Sequence, residues 1–140
     1  IKQELDNRYK SGKKAFAFYY GNGSFMLLTL KDDLNLFNLI ENEDESVAQL
    51  DVTVLHKLIF KDIFNIDTKN FKDQASVGYT RFVYDAIKSV DRSDYQCAFI
   101  MNKTKIEQIK KVSDNGCKMP QKSTYFYPKI ITGMVMNKLD

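Results

Sequence analysis

The chain is poor in the residues that most site chemistries need. One histidine and two cysteines occur among its 140 residues. Cys97 and Cys117 have no Cys-x-x-Cys spacing and no histidine near them in sequence. That leaves no zinc-type ligand set, and two reduced thiols are expected, since a domain of this size does not need a disulfide. The sequence contains no paired-carboxylate motif, no serine-hydrolase elbow and no phosphate loop. Gly21-Asn22-Gly23 joins two apolar stretches, whereas the dinucleotide motif joins a strand to a helix. No apolar run approaches the roughly 20 residues of a membrane span. No signal-peptide pattern is visible, and the cytoplasm is the expected compartment. The balance of 21 basic against 18 acidic side chains leaves a net charge of +3, too small and too dispersed to argue for nucleic acid.

What is present describes one ordinary domain. Hydrophobic residues make up 44% of the chain and aromatics 13%, too apolar for a disordered tail. The chain opens at Ile1 rather than Met, and Ile1-Lys2-Gln3-Glu4-Leu5 reads as the end of a helix. Residues 1–140 are therefore expected to be a single domain, a fragment or processed piece of a longer protein.

Ala15–Tyr20 and Ser24–Leu30 flank Gly21-Asn22-Gly23 as a β-hairpin, both strands nearly continuous in apolar residues. Residues 31–49 have mixed periodicity. The acidic run Glu41-Asn42-Glu43-Asp44-Glu45 lacks the glycine and the ligand spacing of a calcium loop, so a solvated loop or helix start is expected. Asp51 is the expected N-cap of a helix carrying Val52, Leu55, Leu58, Ile59 and Ile63 on one face. His56 sits beside that stripe with no acid or nucleophile tied to it by a motif, and is read as structural. Ser76–Thr80 reads as a short strand, Val83–Val90 as a helix and Tyr95–Met101 as a buried strand. Thr104 and Glu107 suggest a capping box for a helix ending at Asn115-Gly116, and Ile130–Met136 a last strand. The expected class is α+β: a mixed sheet in which an N-terminal antiparallel hairpin is followed by alternating helices and strands, in the order ββ-α-β-α-β-α-β. The strand–helix–strand units predict at least one parallel pair.

One segment stands apart. Met119–Lys129 gathers both prolines of the chain, Lys122 and Lys129, Ser123 and Thr124, and Tyr125, Phe126 and Tyr127. The lysines can donate to phosphate or carboxylate oxygens, the hydroxyls add donors, and Pro120 and Pro128 restrict the backbone. The same composition also suits a crossover whose aromatics plug the core while the lysines stay in water. Arg81 is a second candidate. It lies between the expected strand and helix, at the strand end where open α/β sheets bind ligands, with Thr80 at the helix N-terminus.

Met119-Pro120-Gln121-Lys122-Ser123-Thr124-Tyr125-Phe126-Tyr127-Pro128-Lys129, with Thr132-Gly133 beyond it, resembles the C-terminal signature of the bacterial family called domain of unknown function 1015. Leu50–His56 and Ala98–Thr104 resemble two further blocks, with Asn102-Lys103-Thr104 standing where the family has Asn-Pro-Thr. The resemblance spans about residues 13–140. It implies a two-part protein whose absent half is similar to kinases of free serine. On that resemblance the whole protein would be a small-molecule phosphotransferase using ATP or pyrophosphate with Mg²⁺. Lys122, Ser123, Thr124, Tyr125, Lys129 and Arg81 would then lie near substrate or phosphate, and the fragment alone would be inactive. The expected partners are a small anionic or amino-acid ligand and the missing half of the chain. A membrane is not expected, and RNA binding is the weakest reading, since Lys122, Tyr125, Tyr127 and Lys129 offer only a small basic and aromatic face. The alternative is a non-catalytic binding or oligomerisation module.

Overall fold

Gly21, Asn22 and Gly23 all adopt positive φ (100°, 53° and 70°). This lets the chain reverse between β1 (Ala15–Tyr19) and β2 (Phe25–Thr29). The strands pair antiparallel in a register running from Ala15 opposite Thr29 to Tyr19 opposite Phe25. A computed structural model describes residues 1–125. The expected strand Ile130–Met136 lies outside them, as does the rest of the Met119–Lys129 segment beyond Tyr125.

The remaining described elements are α1 (Lys2–Lys10), α2 (Leu36–Leu39), α3 (Glu45–Ala48), α4 (Asp51–Val54), a π-helix continuing α4 (Leu55–Lys61), α5 (Phe71–Gln74), α6 (Val83–Asp91), β3 (Ala98–Ile100) and α7 (Ile106–Asp114). The α+β class is as expected, but the order differs. Ser76–Thr80 is not a strand. Gly78 instead lies under the Tyr95 ring, where an added Cβ would stand 2.7 Å from Tyr95 Cζ. With that strand gone, one of the strand–helix–strand units that predicted a parallel pair has no first member, and the unit ending in Ile130–Met136 lies outside the described residues. Among the described residues the sheet is wholly antiparallel, in the order β2-β1-β3, with Ala17 opposite Ile100 and Tyr19 opposite Ala98.

β1 is the middle strand and is covered on both faces. Phe16 joins Leu36, Ile40, Ala48, Val54 and Leu55 on one side. Ala15 and Ala17 join Leu5 and Ile100 on the other. A third cluster of Val47, Leu50, Val52 and Val112 seats α7 against α3 and α4, with Cys117 and Met119 packed on it. Tyr19 closes the far end of the strand: its hydroxyl bonds the Asp91 carboxylate at 2.5 Å and accepts the Gly23 N–H at 3.1 Å.

Two helix starts differ from expectation. Leu50, not Asp51, is the N-cap of α4. Asp51 faces Lys14 Nζ at 3.3 Å, and the same ammonium donates to the Gln49 carbonyl at 2.5 Å. Burial pushes the Asp51 carboxyl above its usual range despite Lys14. At α7 the expected Thr104–Glu107 box is shifted by one residue. Lys105 N–H donates to Gln108 Oε1 at 2.9 Å, and this frees the Thr104 hydroxyl for another partner. The end of α7 is as expected. Gly116 has φ 69°, with Gly116 N–H bonded to Ser113 O and Cys117 N–H to Val112 O, the paired bonds of a Schellman stop.

Leu50 is 2% exposed and belongs to the cluster that holds α7. Leu50→Ala is expected to cost about 2–5 kcal/mol. Leu39→Ala, at a side chain 45% exposed, should shift stability by no more than about 0.5 kcal/mol. Urea titration of both variants checks the contrast, and equal losses would contradict this assignment of the core.

Candidate functional site

Beyond α7 the chain is led by its own packing. Cys117 and Met119 rest on the third core cluster, and the backbone then turns tightly. Ser123 Oγ donates to the Pro120 carbonyl at 2.5 Å, while Lys122 takes a left-handed conformation at φ 59°. The Thr104 hydroxyl freed at the start of α7 donates to the Ser123 carbonyl at 2.9 Å. One turn is thereby fastened both to itself and to the β3–α7 loop.

Two residues further on, Tyr125 meets Arg81. Arg81 Nη1 donates to the Tyr125 hydroxyl. The Arg81 guanidinium carbon lies 4.6 Å from the Tyr125 ring centroid and 4.7 Å from that of Phe82. Thr80 Oγ1 accepts the Phe82 N–H at 3.1 Å, so Thr80 braces the residue before α6 rather than capping the helix itself. Arg81, Ser123 and Tyr125, chosen separately in the sequence, are thus brought into one neighbourhood. Lys122 is exposed on the same turn and Thr124 is exposed beside it. Lys129 lies outside the described residues.

Two members escaped the sequence reading. Lys103 is exposed and adjoins Thr104, whose hydroxyl bonds the carbonyl of Ser123, the neighbour of Lys122. The signal was a lysine directly before Thr104 at the entrance to a helix. Phe82 is 53% exposed and was not singled out beside Arg81. A large ring next to an arginine at a helix entrance is the pattern that would have marked it.

The cluster is a surface and not a cavity. Two hollows elsewhere have volumes of about 420 and 440 Å³. The first is bounded by Lys13, Lys14, Lys31, Asp32 and Gln49, the second by Glu43, Lys57, Lys61, Asp62 and Lys69, and neither touches the candidate residues.

Other sequence features prove structural. Asp44 caps α3 by accepting the Ser46 N–H at 2.8 Å, and Asn115 Nδ2 donates to it at 3.2 Å. The Ser46 bonds hold its carboxyl below the usual range. Glu43 lies 3.5 Å from Lys57 Nζ and 3.2 Å from Lys69 Nζ. Among the described residues no three or more His, Cys, Asp or Glu side chains converge as a metal site. Cys97 and Cys117 are free thiols, and no described helix is long and apolar enough to cross a membrane.

His56 lies in the π-helix. Its Nδ1 is 3.1 Å from Thr68 Oγ1, and its ring packs 5.4 Å from Phe60 and 6.0 Å from Tyr79. Burial lowers its pKa below the usual value of 6.5. The folded state then binds fewer protons than the unfolded state below pH 6.5. The stability this provides is present above 6.5 and lost as pH falls through the folded value. The urea midpoint should therefore fall between about pH 7 and pH 5 more steeply in the native chain than in His56→Gln. Parallel slopes would show that His56 is not desolvated in this way.

Comparison with known protein families, with curated proteins and with solved structures found no match.

Proposed function

We propose that the surface formed by Arg81, Lys103, Lys122 and Tyr125 recognises phosphate groups. In this reading the chain is the C-terminal domain of a protein of the domain of unknown function 1015 type, and the whole protein is a small-molecule phosphotransferase acting on a hydroxyl amino acid. The observation that carries the reading is the joining of Arg81 to Tyr125 across 44 residues of sequence. A guanidinium has five N–H donors, and Tyr125 takes up one direction of them. Two neighbouring rings restrain its plane, which lowers the ordering cost when an anion takes the other donors. Lys103 and Lys122 add charge next to the pair of residues bonded at Thr104 and Ser123.

Phosphoryl transfer depends mainly on positioned cations and donors, which this surface can supply. In this reading ATP or pyrophosphate with its metal would be held by the whole protein, since the described residues contain no cluster of three or more metal-ligating side chains. A second reading, a non-catalytic binding or oligomerisation module, is favoured by the exposure of Phe82 (53%), Tyr84 (63%) and Tyr125 (61%).

Pyrophosphate titration followed by amide NMR should move residues 80–82, 103–104 and 122–125. Arg81→Gln should weaken that binding about ten- to a hundredfold, the loss of charge-assisted hydrogen bonds worth about 1.5–3 kcal/mol. Silence at these amides would remove the phosphate reading. For the oligomerisation reading, sedimentation should show mass rising with concentration, and a monomer at every concentration would dismiss it.

A further inference from the structure

The positive charge of the chain is not evenly spread. Residues 101–125 hold six lysines (Lys103, Lys105, Lys110, Lys111, Lys118 and Lys122) against Glu107 and Asp114, a surplus of four. Residues 1–100 hold 13 basic and 15 acidic side chains, a deficit of two. The small overall balance therefore hides a basic C-terminal region, and the segment bearing Lys122 and Tyr125 lies in it.

Aromatic rings stand beside two cations outside that region, Arg81 and Lys88, and one of these rings, Tyr125, comes from within it. Phe82 and Tyr125 flank the Arg81 guanidinium and remain more than half exposed. The pairing recurs on α6, where Lys88 Nζ lies 4.4 Å from the centroid of the Tyr84 ring, itself 63% exposed. Asp85, exposed on the first turn of α6, is the acidic group set among these rings. A small phosphate would use the cations and leave the ring faces in water. A ligand that engages both must carry repeated anionic groups and flat apolar faces together.

We propose that this surface binds single-stranded nucleic acid, with unpaired bases stacking on Phe82 and Tyr84 and backbone phosphates meeting Arg81, Lys103 and Lys122. The proposal rests on the phosphate-recognition reading of Arg81 and extends it to a polymer. Single strands are favoured over duplexes because only unpaired bases offer their faces to side chains that rise from a surface. Stacking on aromatic residues tolerates any base, so the expected binding is weak in sequence preference and strong in salt dependence.

The test uses the chain as it stands and a fluorescent oligothymidylate of about twelve nucleotides, the scale of a single-strand site. Anisotropy should report binding that weakens as salt rises from about 50 to 200 mM. Phe82→Leu and Tyr84→Leu should each lower oligonucleotide affinity about fivefold or more, since leucine keeps apolar bulk but offers no stacking face. Tyr84→Leu, whose ring does not touch Arg81, should leave pyrophosphate affinity within about twofold, while Arg81→Gln should lower both affinities. Thermal melts establish that each variant is folded. Pyrophosphate binding without oligonucleotide binding would overturn this proposal and leave the phosphate reading intact. Loss of neither affinity in Arg81→Gln would overturn both. Oligonucleotide binding indifferent to salt or to both ring substitutions, or equalled by a duplex or by oligoglutamate, would also overturn it.

Discussion

Burial of β1 on both faces is the constraint from which the remaining arrangement follows. Four of its five side chains are buried, and their size alternates along the strand. Phe16 projects into the cluster formed with α2, α3 and the α4–π-helix junction, and Ala15 and Ala17 face α1 and β3. The two alanines matter as much as the phenylalanine. Their short side chains let Leu5 and Ile100 approach closely, and a close-packed interior leaves little room for larger groups there. A sheet of three strands needs helices on its faces to be independently stable. Here α1 covers one face of the middle strand, and α2, α3, α4 and the π-helix cover the other.

The candidate surface depends on that core through a short series of contacts. Val112 anchors α7, the Schellman stop at Gly116 sets the exit direction, and Cys117 and Met119 return the chain to the same cluster. Only then do Thr104 and Ser123 meet, and only beyond them does Tyr125 reach Arg81. Arg81 is placed independently, through α6, whose Val83 packs on the cluster holding Ala15, Ala17 and Ile100. The two routes start from different core clusters and converge at one exposed spot.

Much of this was legible in the sequence because local rules decided it. The hairpin followed from Gly21-Asn22-Gly23 between apolar runs, α6 from its helical stripe, and the end of α7 from Asn115-Gly116. The misreadings share a cause, which is that a side chain had a better partner far away. Asp51 was expected to cap a helix, but Lys14, from the start of β1, claims its carboxylate. Thr104 was expected to cap another, but the Ser123 carbonyl takes its hydroxyl. Ser76–Thr80 has β-forming residues, yet Gly78 is needed flat beneath Tyr95, which no strand pattern signals. Among the described residues the parallel pair expected of that strand is therefore absent. At the surface cluster the cationic and hydroxyl candidates were visible as residue types. Their meeting was not, because it depends on a contact spanning 44 residues.

The contacts at Arg81 also differ in kind from those of the core. An exposed cation–aromatic contact is worth about 0.5–1 kcal/mol, a fraction of what one buried leucine contributes. The core therefore positions the cluster, while the cluster does little to hold the core. An interaction that weak can orient a guanidinium and still yield to a ligand that offers two charged oxygens in place of one phenol. Dependence that runs one way has a practical meaning for the chemistry. Changes at Arg81, Phe82 or Tyr125 alter the surface without altering the fold that presents it, whereas changes at Leu50 or Val112 disturb both at once.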